Sequence, residues 1–531
     1  MPTDCISYQE SGYFTSLIND YLNQKSDLQS LYHRFPSLEN FEKQLLEKEK
    51  NFNSDIEKRK TLVSVLEKQY SGLSVSDLTK WNILALENPK TFTVTTGHQL
   101  NLFTGPLYFL YKIVSTINLT KQLKLKYPEY NFVPVYWMAT EDHDFEEINY
   151  FNLHGKKVRW NTESGGPVGR LSTKGLEEVF EVFSLELGIG KNAEYLKKLF
   201  EESYVRHNNL ADATRFLANE LFGKTGLLIL DADSKELKKH FAPYVKEELL
   251  NQTAHKKVLE TSEKLKNYNI QVNPREINLF YIEDDFRERI ILQNGFYYVN
   301  NTELKFTEAE ILELLKNHPE KFSPNVIMRP FYQEVILPNL CYIGGGGELA
   351  YWLELKSYFE AANVTFPILL LRNSVLLATE KQVKKADKLN LSWKDLFSKQ
   401  QELMNLKVKT FSEFSIDFTA QKAFLRQQFD DLNKIAEQTD KSFTGAVKAQ
   451  EVKQMKGLEN LEKRLLKAEK KKHQEELERI SDLQNELFPN QNLQERIVNF
   501  SEFYLGYGDV LLDKLFAELH PLEQEFKIVI L

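Results

Sequence analysis

Three short stretches of the 531-residue chain concentrate side chains that could do chemistry. The first runs Thr95-Thr96-Gly97-His98-Gln99-Leu100-Asn101, with Thr104 and Gly105 just beyond it and Tyr108 and Lys112 one helical turn apart after that. A glycine-containing loop between a strand and its helix can aim backbone N–H groups at an anion, helped by the positive end of the helix dipole. The spacing is neither the GxGxxG dinucleotide fingerprint nor a P-loop, and a plain strand-to-helix turn accounts for it equally well. The second stretch is Glu141-Asp142-His143-Asp144, followed by Glu146, Glu147 and Asn149. Such a set can bind a divalent metal, hold an amino group or move protons; alternatively, Asp142 or Asp144 simply caps the next helix. The third is Gly344-Gly345-Gly346-Gly347-Glu348. Consecutive glycines let backbone approach a ligand closely, at an entropic cost a merely structural turn seldom requires, while Glu348 can serve as no more than a dipole partner. Arg329, Gln333 and Arg372 lie near in sequence or at an adjacent strand end. An arginine fork suits a carboxylate or phosphate, although most single arginines are surface or packing residues.

The elements that must position these residues follow from the hydrophobic pattern. Residues 91–96 form a β-branched run of strand type, and Pro106 is placed to start a helix over 107–125. Continuous apolar runs at 132–138, 226–230, 339–343 and 366–371 read as strands buried on both faces of a parallel sheet, with a helix expected over 348–359. Each candidate stretch then falls at the carboxyl end of a strand, where open α/β sheets bind ligands. The spacing therefore predicts a doubly wound α/β core over 1–375, with an N-terminal helical segment and insertions at roughly 151–205 and 251–338. Within the insertions, hairpin-like pieces are expected at 157–160 and 169–171, and strands 290–292 and 296–299 about an Asn294-Gly295 turn. From 376 the chain turns helical and charged. Leu425, Phe429, Leu432 and Ala436 keep a four-three-four rhythm, and Leu458, Leu461, Leu465 and Ala468 a three-four-three one, on either side of an expected turn at 442–445. That pattern predicts an antiparallel coiled-coil hairpin suited to dimerisation, with the tail after Phe500 returning to the core.

Composition narrows the function. A net charge of −8 argues against a broad basic nucleic-acid surface. Cys5 and Cys341 are the sole cysteines, so neither a disulfide framework nor a thiolate zinc site can be built, and the reducing cytoplasm fits. No basic-then-apolar leader opens the chain, and no apolar stretch approaches the roughly 18 residues that cross a bilayer. Three readings follow: an enzyme acting on a small anionic substrate, a nucleotidyltransferase that adenylates a small acid, or a coiled-coil scaffold with a ligand-sensing core.

The same residues carry a resemblance. Thr96-Gly97-His98-Gln99 through Leu102-Phe103-Thr104-Gly105-Pro106-Leu107-Tyr108, with Lys112, resembles the first motif of the bacillithiol cysteine ligases, the BshC family. Pro134-Val135-Tyr136-Trp137-Met138-Ala139 with Glu141-Asp142-His143-Asp144-Phe145 resembles the second, and Gly344-Gly345-Gly346-Gly347-Glu348-Leu349-Ala350-Tyr351-Trp352 the third. The resemblance implies a Rossmann-like core of nucleotidyltransferase or class I synthetase type, two connecting insertions and a coiled-coil homodimer. It further implies a ligase that joins L-cysteine to the amino group of glucosaminyl malate in the last step of bacillithiol biosynthesis, with ATP or ADP associated with the fold. On that reading Asp142, His143 and Asp144 orient and deprotonate the amine. Thr96, Gly97, His98, Gln99, Thr104, Gly105, Tyr108, Lys112, Glu141, Asn149, Arg329, Gly344, Gly345, Gly346, Gly347, Glu348 and Arg372 would bind substrate. Many members carry glutamine where this chain has His98, so the resemblance places no indispensable proton transfer there.

Overall fold

The computed structural model describes residues 4–52 and 56–531. They divide into two units, one reaching from the first described residue to Leu377 and resuming over Leu493–Leu531, the other comprising Ala378–Asn492.

The first unit is organised by five parallel strands: β1 (Thr91–His98), β2 (Asn131–Met138), β3 (Leu228–Asp231), β4 (Asn339–Gly344) and β5 (Ile368–Leu371). Their order across the sheet is β5-β4-β1-β2-β3. β1 is central; the chain steps outward through β2 and β3, then crosses to the other side for β4 and β5. That reversal makes the gap between the carboxyl ends of β1 and β4 the topological switch point, where α/β sheets open a crevice. The strands are apolar on both faces because helices cover both. Between β1 and β2, helix α1 (Tyr108–Lys126) buries almost every residue of its first four turns, so it lies inside the unit instead of presenting a polar side to water.

Both insertions contain irregular structure with small sheets. Tyr150–Leu153 and Lys156–Arg159 form the first hairpin, but 169–171, expected as hairpin, lies mostly in the 3-10 turn Val168–Arg170. Here Gly169 sits so tightly on Thr140 that a Cβ would come within 2.5 Å of it, and close packing overrides strand pairing. In the second insertion, Arg287–Gln293 pairs with Phe296–Val299 about Asn294 and Gly295, both at positive φ, as a two-residue hairpin turn requires. Helix α2 (Lys235–Asn251) follows β3, and α3 (Met328–Ile336) leads into β4. The expected helix over 348–359 is two, α4 (Gly346–Leu353) and Lys356–Ala361. Strand Glu525–Ile530 at the chain's end pairs with Asp4–Ser7 in a three-stranded sheet that also contains Ser374–Ala378, a strand the helical reading of this region did not contain.

The second unit is helical. Thr419–Ala436 packs on Lys441–Lys472 through Phe429, Ala436 and Val447. Asp440 caps the long helix by accepting from the N–H groups of Ser442 and Phe443, so 442–445 is the helix's first turn and the reversal falls at 437–440. Leu432 and Leu461, assigned to the apolar seam, stand 41% and 52% exposed within the single chain.

Candidate active site

A cleft of about 680 Å³ opens at the switch point, lined from the ends of β1, β2 and β4, the start of α4 and the second insertion. Of the residues expected at a site, Gly97, His98, Gln99, Tyr108, Lys112, Glu141, Asp142, His143, Asp144, Arg329, Gly345, Gly346, Gly347, Glu348 and Arg372 all line it. His143 and Gly345, 202 positions apart in sequence numbering, share one cavity.

One wall is cationic. Lys112 projects from α1 to donate to the carbonyl of Gly97 at 2.7 Å and pair with Glu348 at 2.5 Å. Glu348 also accepts from Tyr342 Oη at 2.6 Å and from the Gly345 N–H at 2.8 Å. Burial alone would raise its carboxyl, but the Lys112 ammonium and these donors hold it below the usual carboxylate range. Glu348 is therefore more than a dipole partner: it latches the glycine loop to α1. Gly97 is tightly packed, since a Cβ there would lie 3.1 Å from Tyr342 Oη, whereas nothing lies within 4 Å of a Cβ at Gly347. Gly347 is exposed, so the loop's opening faces the cleft unobstructed. Beside it Arg329, from α3, lies against the rings of Trp137 and Tyr342 at 5.9 and 5.7 Å and donates to Gln333 and to Tyr351 Oη. Among the described residues no carboxylate lies within salt-bridge distance of it. An inward-facing guanidinium with spare donors and no ionic partner is built for a ligand anion.

The segment after β2 brings carboxylates to the same cleft. Gln99 donates to Asp142 at 3.1 Å and to Glu147 at 2.8 Å, bracing the end of β1 against the segment after β2. Asp142 in turn accepts from the N–H of His143 at 2.8 Å. Asp144 occupies the N-cap position of a short helix, Phe145–Ile148, yet makes no side-chain cap bond, which leaves its carboxylate exposed at the cleft. Among the described residues no group of three or more His, Cys, Asp or Glu side chains is arranged to hold a metal ion.

Several expected residues have other work. Thr96 is buried and donates to the carbonyl of Ile343, cross-linking β1 to β4. Thr104 and Gly105 lie outside the cleft: the carbonyls of Phe103 and Gly105 accept from Asn499 of the C-terminal tail, and Phe103 sits among Phe151, Phe183, Phe200 and Phe500. That loop anchors insertion and tail. Asn149 is also outside, its carbonyl accepting from Trp160. Gly344 is packed against Tyr342, Glu348 and Leu349, where a Cβ would meet atoms at 2.9–3.0 Å. His98 lies buried against the rings of Tyr108 and Phe109, and burial with Lys112 nearby drives its imidazole well below the ordinary range. It is neutral and packed. The Arg372 fork is occupied, with Nη1 and Nη2 on the two carboxylate oxygens of Glu495 at 3.0 and 2.6 Å, and only Nε lacks a partner. Glu141 reaches the cleft wall, but its carboxylate pairs with buried Lys238 at 2.5 Å, and burial pushes its pKa up despite that cation.

Residues 1–373 match the family described as bacillithiol biosynthesis BshC, N-terminal Rossmann-like domain, and residues 375–531 match its C-terminal coiled-coil domain. The chain belongs to the BshC family. A relative from Flavobacterium johnsoniae, provisionally named cysteine ligase BshC, is 67% identical over 531 residues and covers the whole of both chains. One of the same name from Christiangramia forsetii is 63% identical, covering 100% of this chain and 99% of its own. Another from Lysinibacillus sphaericus is 26% identical, with 92% of this chain and 93% of its own covered.

The residues of this BshC-family cleft that the sequence did not single out come mainly from the second insertion. Arg275, Arg287 and Arg289 all line the cavity, and Arg496 enters from the tail. Arg287 donates to His143 Nδ1 at 2.9 Å. Behind the cleft, Arg170 from the first insertion bridges Asp233 of the core and Asp284 of the second, each at 2.8 Å. Scattered arginines on insertion hairpins carry no local spacing signal. The one available cue was the alternation Arg287-Glu288-Arg289 just before the predicted strand 290–292.

Proposed function

We propose that this cleft joins the carboxyl of L-cysteine to the amino group of glucosaminyl malate, the last step of bacillithiol formation. Membership of the BshC family makes the chain a ligase. The observation that carries the finer reading is the meeting, in one cavity, of a guanidinium at Arg329, which among the described residues has no carboxylate within salt-bridge distance, with the half-buried carboxylate of Asp142 and the exposed one of Asp144. Glucosaminyl malate brings malate carboxylates to be held and a glucosamine ammonium that must lose a proton before it can attack.

In this reading Arg329 and the start of α4 receive a substrate carboxylate, and the insertion arginines set a positive potential that favours an anionic substrate. Asp142, braced by Gln99, orients the ammonium, and Asp142 or Asp144 accepts the proton it releases. The nitrogen lone pair then attacks the activated cysteine carbonyl, the C–N bond forms and the leaving group departs. The alternative seat for protonation, His98, is buried in aromatic surroundings and takes no part. An adenine nucleotide, as the family resemblance implies, would supply the leaving group for cysteine's carboxyl when bound. A cytoplasmic location and a homodimer through the coiled-coil region belong to the same proposal; the cavity itself is complete within one chain's first unit.

The test is reconstitution. Purified protein with L-cysteine, glucosaminyl malate and ATP should yield bacillithiol, and a strain carrying Asp142→Asn with Asp144→Asn should accumulate glucosaminyl malate while the protein stays folded. Normal bacillithiol in that strain sinks the assignment of the two carboxylates. Pyrophosphate release with a small acid but no amide product would support the adenylating reading instead.

A further inference from the structure

His143 sits among the acidic residues of the cleft, and its composition-level reading is that of a proton acceptor. Its hydrogen bonding says otherwise. Arg287 Nη1 lies 2.9 Å from His143 Nδ1. A guanidinium nitrogen carries only hydrogens, so Nδ1 must present its lone pair, and the ring proton of the neutral imidazole is then on Nε2. Turning the ring over would put a C–H against that guanidinium hydrogen and leave it without an acceptor.

Arg287 has little freedom to move aside. Its Nε donates to Ser323 Oγ at 3.0 Å, its Nη2 to the carbonyl of Pro324 at 2.8 Å, and its guanidinium stacks 4.1 Å from the centre of the Phe280 ring. The side chain is 7% exposed. Phe280 also meets the imidazole, at 5.6 Å between centroids, so the second insertion supports both groups through one aromatic ring. The imidazole itself is 40% exposed and lines the cavity.

We infer that His143 acts as a neutral hydrogen-bond donor through Nε2–H toward a carbonyl or carboxylate oxygen of the substrate, and that Arg287 is the positioning residue that fixes this tautomer. The inference rests on the ligase reading for the identity of that oxygen, which would be the one gaining negative charge as the amine attacks. It removes His143 from the proton acceptors and leaves that role to Asp142 and Asp144. It also gives the second insertion a part in the chemistry, since Phe280, Arg287, Ser323 and Pro324 all belong to it.

The tautomer is read without substrate. In ring-¹⁵N-histidine-labelled full-length protein, with His143→Gln used to assign the resonances, Nδ1 of His143 should appear as an unprotonated nitrogen and Nε2 as a protonated one. Arg287→Met should abolish that fixed pattern. A protonated Nδ1 in the unmutated protein overturns the inference. The kinetic arm uses side-chain geometry: the glutamine carboxamide N–H can take the place of Nε2–H, whereas asparagine reaches only to the position of Nδ1. Amide formation should therefore survive His143→Gln within about tenfold and fall about 100- to 1,000-fold in His143→Asn and His143→Ala. Arg287→Met should lower kcat of the native enzyme but lower it much less in the His143→Gln background, where there is no tautomer to fix, the loss of its charge at the cleft appearing in KM in both backgrounds. Equal loss in H143Q and H143A, or a full additional loss of kcat in the double variant, refutes the assignment. Absence of amide product from unmutated protein would instead condemn the ligase reading, leaving the ring spectrum to decide the tautomer.

Discussion

Replacing Arg329 separates binding from folding more cleanly than any other change at this site. The guanidinium lies between the Trp137 and Tyr342 rings and donates to Gln333 at 3.1 Å and to Tyr351 at 3.4 Å. Those two bonds leave most of its five N–H donors for a ligand. A bidentate carboxylate on the remaining fork would contribute about 2–4 kcal/mol, equivalent to about 30- to 1,000-fold in affinity. Arg329→Met should raise KM for the anionic substrate by that factor with a smaller effect on kcat. Arg329→Lys, which keeps the charge but loses the fork, should fall between. The folded protein should barely respond. The two ring contacts are worth about 0.5–1 kcal/mol each, and their loss is partly offset because the buried cation no longer has to be desolvated. Unfolding free energy should thus stay within about 1 kcal/mol of the native value. Steady-state kinetics over substrate concentration and a denaturant titration measure the two quantities. An unchanged KM together with a loss of more than about 2 kcal/mol would show that Arg329 is a structural residue, and the anion-site argument would fail with it.

Four further outcomes follow from the same geometry. Glu495→Gln should destabilise the first unit by about 3–5 kcal/mol, because it leaves the buried Arg372 fork half paired, while the apolar double variant of both residues should recover most of that loss; additive losses in thermal unfolding would contradict it. Gly347→Ala should fold normally and impair ligand binding, whereas Gly344→Ala, with no room for a Cβ, should destabilise by about 1–3 kcal/mol; equal stabilities by calorimetry would refute the contrast. Glu354, which accepts from the N–H groups of Gln271 and Val272 beside the cleft, has its pKa pushed up by burial to about 7. A folded-state pKa above the unfolded value contributes stability below about pH 4.5 that is lost as pH rises through about 7, so unfolding free energy from denaturant titrations should fall over that range in the native protein and fall less in Glu354→Gln; equal pH dependence in the two would contradict it. In the helical unit, Leu461→Lys with Leu465→Lys should convert a dimer to a monomer by light scattering; a native protein already monomeric would refute the dimer proposal.

The sequence by itself determined the kind of layer each segment joins and the ends at which chemistry could sit. Runs such as Phe132 to Met138 are apolar without alternation because both faces of a parallel strand are covered, and that physical requirement is written locally. The Asn294-Gly295 turn was equally legible, since both residues must adopt positive φ. Likewise the three motifs are contiguous, so their strand-end placement follows from periodicity alone. Tertiary structure decided what spacing cannot encode. The order β5-β4-β1-β2-β3 depends on which way the chain crosses, and only that crossing brings β1 and β4 together to open the cleft. Whether a polar residue faces ligand or scaffold was likewise undecided: the carbonyls of Phe103 and Gly105 accept from the tail's Asn499, and Arg372 is claimed by Glu495, 123 residues later. Most plainly, the proton on His143 is set by Arg287, 144 residues away. A side chain's type is local, but its protonation, orientation and freedom depend on partners that only the folded chain supplies.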